Sequence, residues 1–366
     1  MKIGIDISQI AYKGTGVGRF TEGLVNTICN YDSKNDWVFF FSSLRQSLDS
    51  SIRHSIQKKQ FKLVEMKIPP RGLSFLWNDI HALKIETITG PLDWFITSDW
   101  TEPPARCKKA TIIHDLVFVR YPDTVDPLIR KVQKTRMEWI HKESSLIFCD
   151  SISTQQDVNK YFYDEKKRIV VNYPGVEVSF PNKTVLDNVR AKFKLKQPFV
   201  LTVGKLEPRK NLQTLINAYN QIEGKKPQLL IVGPDGWGPE LRPVEGVRLL
   251  GYLSDEELHT LYLICLFFIY PSLWEGFGYP VVEAMNLGVP VATSNTSSLK
   301  EIGKNAALLF NPGSQQEIKN ALERLMQDDK FRRELSRKGK ARAKDFTWKR
   351  YYDILVQSLN NFNSRF

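Results

Sequence analysis

The sequence predicts an α/β protein made of two doubly wound units, and three observations predict it. Short apolar runs alternate with amphipathic stretches along the chain, the pattern of parallel strands separated by helices. An apolar run, a glycine-bearing loop and a helix start follow one another near the head of each half, at Lys2–Ile7 with Gly14–Gly18 and at Phe199–Val203 with Gly204. Between the halves, Asn172-Tyr-Pro-Gly175 breaks the pattern and the chain stays polar through Lys196. This places a first domain at 1–172, a linker at 173–198 and a second domain at 199–346.

Composition bounds the function. The chain has 366 residues, 42% of them hydrophobic, enough for two packed domains. Its 52 Lys and Arg against 40 Asp and Glu give a net charge of +12, which favours anionic partners. Cys29, Cys107, Cys149 and Cys265 stand far apart without metal-ligand or redox spacing, as expected of free thiols in a reducing compartment. No apolar run approaches the ~18 residues of a membrane span, and Met1–Asp6 enters a strand without a signal-peptide pattern. A cytoplasmic protein is expected.

In the first half, strands are expected at Lys2–Ile7, Trp37–Phe41, Lys62–Met66, Asp93–Ile96, Ala110–His114, Ser145–Cys149 and Arg168–Val171. The Gly14-x-Gly16-x-Gly18 loop lacks the spacing of a dinucleotide fingerprint, and no acidic residue closes the second strand. It reads instead as a place where a substrate approaches backbone. Phe75, Leu76, Ile80 and Leu83 recur at roughly helical spacing and are expected in the core. His114, at a strand's carboxyl end, stands where open parallel sheets bind ligands. The helix Leu128–Ser144 carries Arg130, Lys131, Lys134, Arg136 and Lys142. That charge reads as a solvated face, with peripheral contact to an anionic membrane as the sharper alternative.

In the second half, strands are expected at Phe199–Val203, Gln228–Val232, Val247–Leu250, Leu266–Ile269, Val289–Thr293 and Ala306–Phe310. Ser254-x-x-Glu257 and Ser314-x-x-Glu317 read as capping boxes. Arg209 and Lys210 stand beside the start of the helix Leu212–Ile222, where the helix dipole already favours a phosphate. A guanidinium fork and an ammonium there suit a diphosphate. The stretch Tyr270–Met285 repeats the strand–glycine loop–helix order, with Gly276 and Gly278 in the loop and Pro280 in the first helical turn. It carries two carboxylates, Glu275 and Glu283, with seven residues between them.

Taken together, the loop Gly14–Arg19, Ile113-His114-Asp115, Ser151-x-Ser153-Thr154, Asn172-Tyr-Pro-Gly175, Gly204-x-Leu-Glu-Pro-Arg-Lys-Asn211 and Ser272-x-x-Glu-Gly-Phe-Gly-x-Pro280 with Glu283 and Ala284 carry a resemblance. Over essentially its whole length the chain resembles the retaining glycosyltransferases of family 4. Two departures stand out: Lys205 where many relatives have Arg, and Lys300 where a proline is common.

The resemblance implies the GT-B fold, two Rossmann-like domains facing across a cleft, with the final helix, 347–366, crossing back to the first. It implies a nucleoside diphosphate sugar as co-substrate, a glycan or lipid-linked acceptor, no further cofactor, and no nucleic acid partner. Glu283 is then expected to hold the ribose, and Glu275 to face the transferred sugar. Backbone amides around Gly276, Phe277 and Gly278 are expected to meet sugar or phosphate oxygens. Lys210, with Arg209 or Lys205, is expected to meet the diphosphate. His114 is expected to reach the sugar from the first domain, and Gly16, Val17 and Gly18 to close over the donor phosphates.

The chemistry is consistent with this, because breaking a glycosyl–phosphate bond leaves negative charge on the diphosphate, which preorganised cations stabilise. No Asp-x-Asp triplet occurs, so no metal clamp is expected. The paired glutamates alone also suit glycoside hydrolysis, but a hydrolase needs no phosphate site. The Glu-Pro-Arg-Lys-Asn and Ser-Asn-Thr-Ser-Ser-Leu stretches resemble those of bacterial polysaccharide mannosyltransferases, which makes GDP-mannose the first choice of donor. A nucleotide-sugar-binding protein of the same fold without activity is the alternative from another class. The expected location is the cytoplasm, with attachment to the inner membrane face if the basic helix binds lipid.

Overall fold

A computed structural model of the protein describes residues 1–162 and 168–363. The chain divides into two compact units, Met1–Gly175 with Thr347–Phe366, and Val176–Phe346.

Unit 1 is a seven-stranded parallel sheet of β1 (Lys2–Asp6), β2 (Asp36–Ser42), β3 (Lys62–Met66), β4 (Trp94–Ser98), β5 (Lys108–Ile113), β6 (Ser144–Cys149) and β7 (Arg168–Val171). Their spatial order is β3-β2-β1-β4-β5-β6-β7. The inner strands are largely apolar, as expected where helices cover both faces; Val38, Phe39, Phe40, Phe95, Ile96, Ile112 and Phe148 are fully buried. Helix α1 (Gly16–Tyr31) follows β1 and buries Phe20, Leu24, Val25 and Ile28 at helical spacing, each side chain contributing about 1.5–3 kcal/mol. Helix α2 (Pro127–Glu143) starts at Asp126, whose carboxylate accepts from the Leu128 and Ile129 amides.

Unit 2 is a six-stranded parallel sheet of β8 (Phe199–Val203), β9 (Gln228–Val232), β10 (Val247–Leu249), β11 (Phe267–Tyr270), β12 (Val291–Ser294) and β13 (Leu308–Phe310), ordered β10-β9-β8-β11-β12-β13. Helix α3 (Leu212–Asn220) lays Leu212, Leu215, Ile216 and Tyr219 on Leu229 and Ile231 of the sheet. Helix α4 (Tyr279–Asn286) follows β11. The capping box at Ser254 is complete; Ser314 accepts from the Glu317 amide, while Glu317 itself accepts from Asn311. The last helix, α5 (Trp348–Asn363), belongs to unit 1, where Trp348 and Tyr351 pack edge-on against Phe20 at 5.5 and 5.4 Å. The Asn172 side-chain amide donates to the Tyr351 carbonyl at 3.1 Å and ties α5 to the end of β7.

In each sheet the chain winds outward from one strand, then returns to wind the other way. The reversal falls between β1 and β4 in unit 1 and between β8 and β11 in unit 2. Loops leaving the carboxyl ends of those strands flank the crevice where open α/β sheets take ligands.

Several expectations need correction. Phe75, Ile80 and Leu83 are exposed rather than core, and Leu73 and Trp77 are buried instead. The reason is local: a short α-turn (Pro70–Ser74) passes into a π-turn (Phe75–Asp79), and His81 and Leu83 are left-handed, so the 3.6-residue period is lost. Arg136 is not on a solvated face. It is 2% exposed, donates to Thr111 Oγ1 at 2.7 Å and the Ile112 carbonyl at 3.1 Å, and faces the fully buried Glu102, which Lys109 also pairs at 3.0 Å. The stretch read as linker holds a helix, Lys183–Lys192, capped by Asn182. Gly16–Gly18 are the first turn of α1 rather than an open loop. Among the described residues, no helix is long and apolar enough to cross a membrane.

Candidate active site

In unit 2 the two loops at the β8/β11 reversal meet. After β8 the chain stays beside β9: the Gly204 amide donates to Val232 O at 2.8 Å, and Leu206 bridges to Asp235. A short 3-10 turn, Pro208–Lys210, ends in left-handed Asn211. The Asn211 side chain fixes that conformation by donating to the carbonyls of Pro271, at 3.2 Å, and Pro312, at 2.8 Å. Arg209 and Lys210 are thereby aimed at the loop that follows β11.

There they converge on Glu275. Its Oε1 accepts from Ser272 Oγ at 2.6 Å, Lys210 Nζ at 2.7 Å and the Tyr270 hydroxyl at 2.9 Å; its Oε2 pairs with Arg209 at 2.8 Å. Lys210 also donates to the Tyr270 hydroxyl at 2.8 Å. Arg209 reaches Glu207 at 2.5 Å and the Trp274 carbonyl at 2.5 Å. Burial would raise the Glu275 pKa, but the charges of Arg209 and Lys210, with the hydrogen bonds of Lys210 and Ser272, hold it well below the usual carboxylate range. Burial, then the neighbouring Arg209, pulls Lys210 below its ordinary value while Glu275 and Glu207 push back. The result is two cations and two carboxylates in a poised, low-dielectric cluster.

The loop closes by backbone geometry. Gly278 has φ +104°, and a Cβ there would come within 2.7 Å of Leu299 Cδ2, so glycine is required where the loop turns into α4. Ser298 Oγ bonds to the carbonyls of Glu275 and Phe277, at 2.8 and 2.7 Å, and Ser297 Oγ accepts the Glu275 amide at 3.0 Å. The Phe277 ring packs inward against Tyr279 and Phe346, so what that residue can present to a ligand is backbone. Glu283 is buried on α4, 4% exposed. Lys205 stands apart from the cluster: it is exposed, its ammonium 4.5 Å from the Trp237 ring centroid.

Unit 1 holds the remaining expected residues. His114 follows β5, its Nδ1 2.7 Å from Asp150 Oδ2 and its Nε2 2.8 Å from Ser98 Oγ. Burial pulls its pKa down, but the charge and hydrogen bond of Asp150 and the charge of Asp99 outweigh this and leave it above the ordinary imidazole value. Phe20 on α1 packs edge-on to His114, ring centroids 4.7 Å apart, so α1 and the histidine are built together. Gly16, Val17 and Gly18 open α1; Thr15 Oγ1 accepts from the Gly18 amide at 3.1 Å, and a Cβ on Gly18 would meet the Tyr12 carbonyl at 2.6 Å.

The sequence analysis gave no site role to Tyr270, Ser272 and Glu207 in unit 2, or to Ser98, Asp99 and Asp150 in unit 1. Asp150 carried the same signal as His114, a polar residue at a strand's carboxyl end, and was discernible on that ground.

The profile of the family Glycosyl transferases group 1 matches residues 187–342. The chain is 31% identical over 275 residues to the O-antigen chain mannosyltransferase B of Escherichia coli, covering 71% of each chain. Among solved structures it is similar to the sucrose-phosphate synthase of Thermosynechococcus elongatus (TM-score 0.77, 18% identity, all of both chains). It is also similar to Anabaena HepE in complex with UDP-glucose (TM-score 0.69, 16% identity, 99% of this chain and 100% of the other). With two parallel α/β units, and Arg209 and Lys210 meeting Glu275 at the reversal of the second, the chain belongs to the group 1 glycosyl transferases and is a glycosyltransferase of the GT-B fold.

Proposed function

We propose that the enzyme moves a hexose from a nucleoside diphosphate sugar to a glycan or lipid-linked acceptor, retaining anomeric configuration and without a metal ion. The observation that carries this is the convergence of Lys210 and Arg209 on Glu275 at the β8/β11 reversal. Two cations held by an internal carboxylate are prepaid for an incoming dianion: the diphosphate exchanges for Glu275, and little reorganisation is left for the reaction itself. That exchange frees Glu275 beside the diphosphate-bound sugar, and buried Glu283 on α4 is the candidate ribose ligand. Lys205 over Trp237 is a third cation, for the outer phosphate oxygens.

Mannose from GDP-mannose is the first choice of donor. Its support is the similarity to the E. coli mannosyltransferase, whose name describes O-antigen chain synthesis. A thermal-shift panel of GDP, UDP and ADP tests the base, since a ligand that binds only the folded state raises Tm by mass action. GDP is expected to give the largest shift. Release of nucleoside diphosphate from GDP-mannose, UDP-glucose and UDP-galactose in the presence of glycan acceptors then tests activity, and no release from any donor would overturn the proposal.

A further inference from the structure

Glu275 is held by more than its two cations. Tyr270 is the last residue of β11 and is 2% exposed; its ring stacks on Phe268 at 5.8 Å, as same-face neighbours along a strand do. Thr293 Oγ1, on the neighbouring β12, donates to the Tyr270 carbonyl at 3.1 Å. The ring is thereby fixed with its hydroxyl between Lys210 and Glu275. An ammonium only donates, so the hydroxyl accepts from Lys210 Nζ at 2.8 Å and gives its own proton to Glu275 Oε1 at 2.9 Å. Ser272, fully buried, donates to the same oxygen at 2.6 Å. The Glu275 backbone is fixed too, its amide on Ser297 Oγ and its carbonyl under Ser298 Oγ.

The two hydroxyls differ from the two cations in what a substrate does to them. Arg209 and Lys210 are the groups an incoming diphosphate takes, so they hold Glu275 only until it arrives. Tyr270 and Ser272 are neutral donors that offer an incoming ligand almost no surface. Once the cations turn to the diphosphate, burial and the diphosphate's own negative charge both favour a protonated Glu275. A neutral acid there would leave uncompensated the positive charge that grows on the sugar ring as the diphosphate departs. Hydrogen bonds donated to the ionised carboxylate work against that protonation. Burial, then the Glu275 charge, pushes the Tyr270 pKa well above its ordinary value, so the hydroxyl keeps its proton and stays a donor.

We infer that Tyr270 and Ser272 are positioning residues of the transfer step: once the diphosphate has taken Arg209 and Lys210, their hydroxyls keep Glu275 ionised and aimed at the sugar. The inference rests on the glycosyl-transfer reading and divides the cluster into two layers, one that substrate removes and one that stays. Among the described residues, the charged groups bonded to Glu275 are Arg209 and Lys210, from the turn after β8, with Glu207 paired to Arg209. Tyr270 is its titratable partner from β11. In the free enzyme the cations set the ionisation of Glu275; in the donor complex the hydroxyls do. Kinetics separates the two states, because kcat/KM reports groups of the free enzyme and kcat those of the complex.

The test is the pH dependence of nucleoside diphosphate release by the full chain, from whichever of GDP-mannose, UDP-glucose and UDP-galactose wild type turns over with a glycan acceptor. Wild type is compared with Tyr270→Phe, which keeps the ring and removes only the hydroxyl, with Ser272→Ala, and with Tyr270→Phe in a Glu275→Gln background. Each single hydroxyl deletion is expected to lower kcat about tenfold or more and to move the acid limb of kcat up by about one pH unit. The acid limb of kcat/KM, set while both cations hold Glu275, is expected to move less. In the Glu275→Gln background Tyr270→Phe is expected to change kcat by less than about twofold, since it acts through the carboxylate; a merely structural role would cost the same in both backgrounds. If Tyr270→Phe melts out, Ser272→Ala carries the same comparison of limbs. A kcat within about twofold of wild type in the folded single variants, equal movement of the two limbs, or the full loss persisting in Glu275→Gln overturns the inference. Wild-type turnover alongside any of these leaves the glycosyl-transfer reading standing and removes only the role of the hydroxyls, whereas no turnover of any donor by wild type overturns both.

Discussion

Replacing Lys210 by alanine separates a catalytic cation from a structural one. In the resting protein the substitution removes the ammonium from Glu275 and from the Tyr270 hydroxyl, at 2.7 and 2.8 Å. Glu275 keeps Ser272 at 2.6 Å, Tyr270 at 2.9 Å and Arg209 at 2.8 Å, so its charge stays paired. The cost in stability is therefore that of a charge-assisted hydrogen bond, about 1.5–3 kcal/mol, rather than the ~3–5 kcal/mol of a buried charge left alone. Catalysis is expected to lose more. A preorganised donor to a developing oxyanion is worth about 2.7–4 kcal/mol, or roughly 10²–10³-fold in turnover. Lys205 is the control: exposed over Trp237, its cation–π contact is worth about 0.5–1 kcal/mol, and Lys205→Ala is expected to cost less than tenfold. Nucleoside diphosphate release against donor concentration reads the catalytic term, and a thermal melt reads the structural one. A folded Lys210→Ala enzyme within about threefold of wild type would refute the reasoning, and a larger loss in Lys205→Ala would move the diphosphate cation to the other lysine.

Three further outcomes follow from the geometry. Gly278→Ala is expected to lower Tm by several degrees, because φ +104° and the 2.7 Å approach to Leu299 Cδ2 cost about 1–3 kcal/mol together; an unchanged Tm would mean the loop relaxes freely. Since the folded Glu275 pKa is depressed, its stabilisation is full above the unfolded value of about 4.3 and is lost as pH falls through the folded one. The Tm gap between wild type and Glu275→Gln is thus expected to begin shrinking below about pH 4, and a gap at pH 3 as large as that at pH 6 would contradict this. On unit 1, Lys142 lies over Trp139, which stacks on His81 beside exposed Ile80 and Leu83; the protein is expected to sediment with anionic liposomes at low salt and less after Ile80→Ser, and absence of sedimentation removes membrane contact from the account.

Much of the fold was legible because parallel strands buried on both faces leave continuous apolar runs. Phe199–Val203 and Gln228–Val232 begin and end where those runs do, and the half-buried edge strands Lys62–Met66 and Arg168–Val171 also stand where expected. Failures came where no local pattern exists. Nothing near Phe75 announces the π-turn and left-handed residues that rotate Phe75, Ile80 and Leu83 to the surface. Arg136 has the sequence context of a solvated helix face, and only the distant Glu102 and Thr111 make it a core residue. The site was legible as separate loops, because glycine, proline and basic residues beside helix starts mark them. That Lys210 touches Glu275 was not, because the contact arises from the strand order that sets β8 beside β11.

The most direct test of the central claim is proton NMR of the product formed from an α-linked nucleoside diphosphate sugar, with and without excess EDTA. An α-linked product is expected, because the proposed transfer retains configuration, and at the same rate in both samples, because a cationic cluster stabilises the departing diphosphate without a metal. A β-linked product, or a rate abolished by EDTA and restored by a divalent cation, would contradict it.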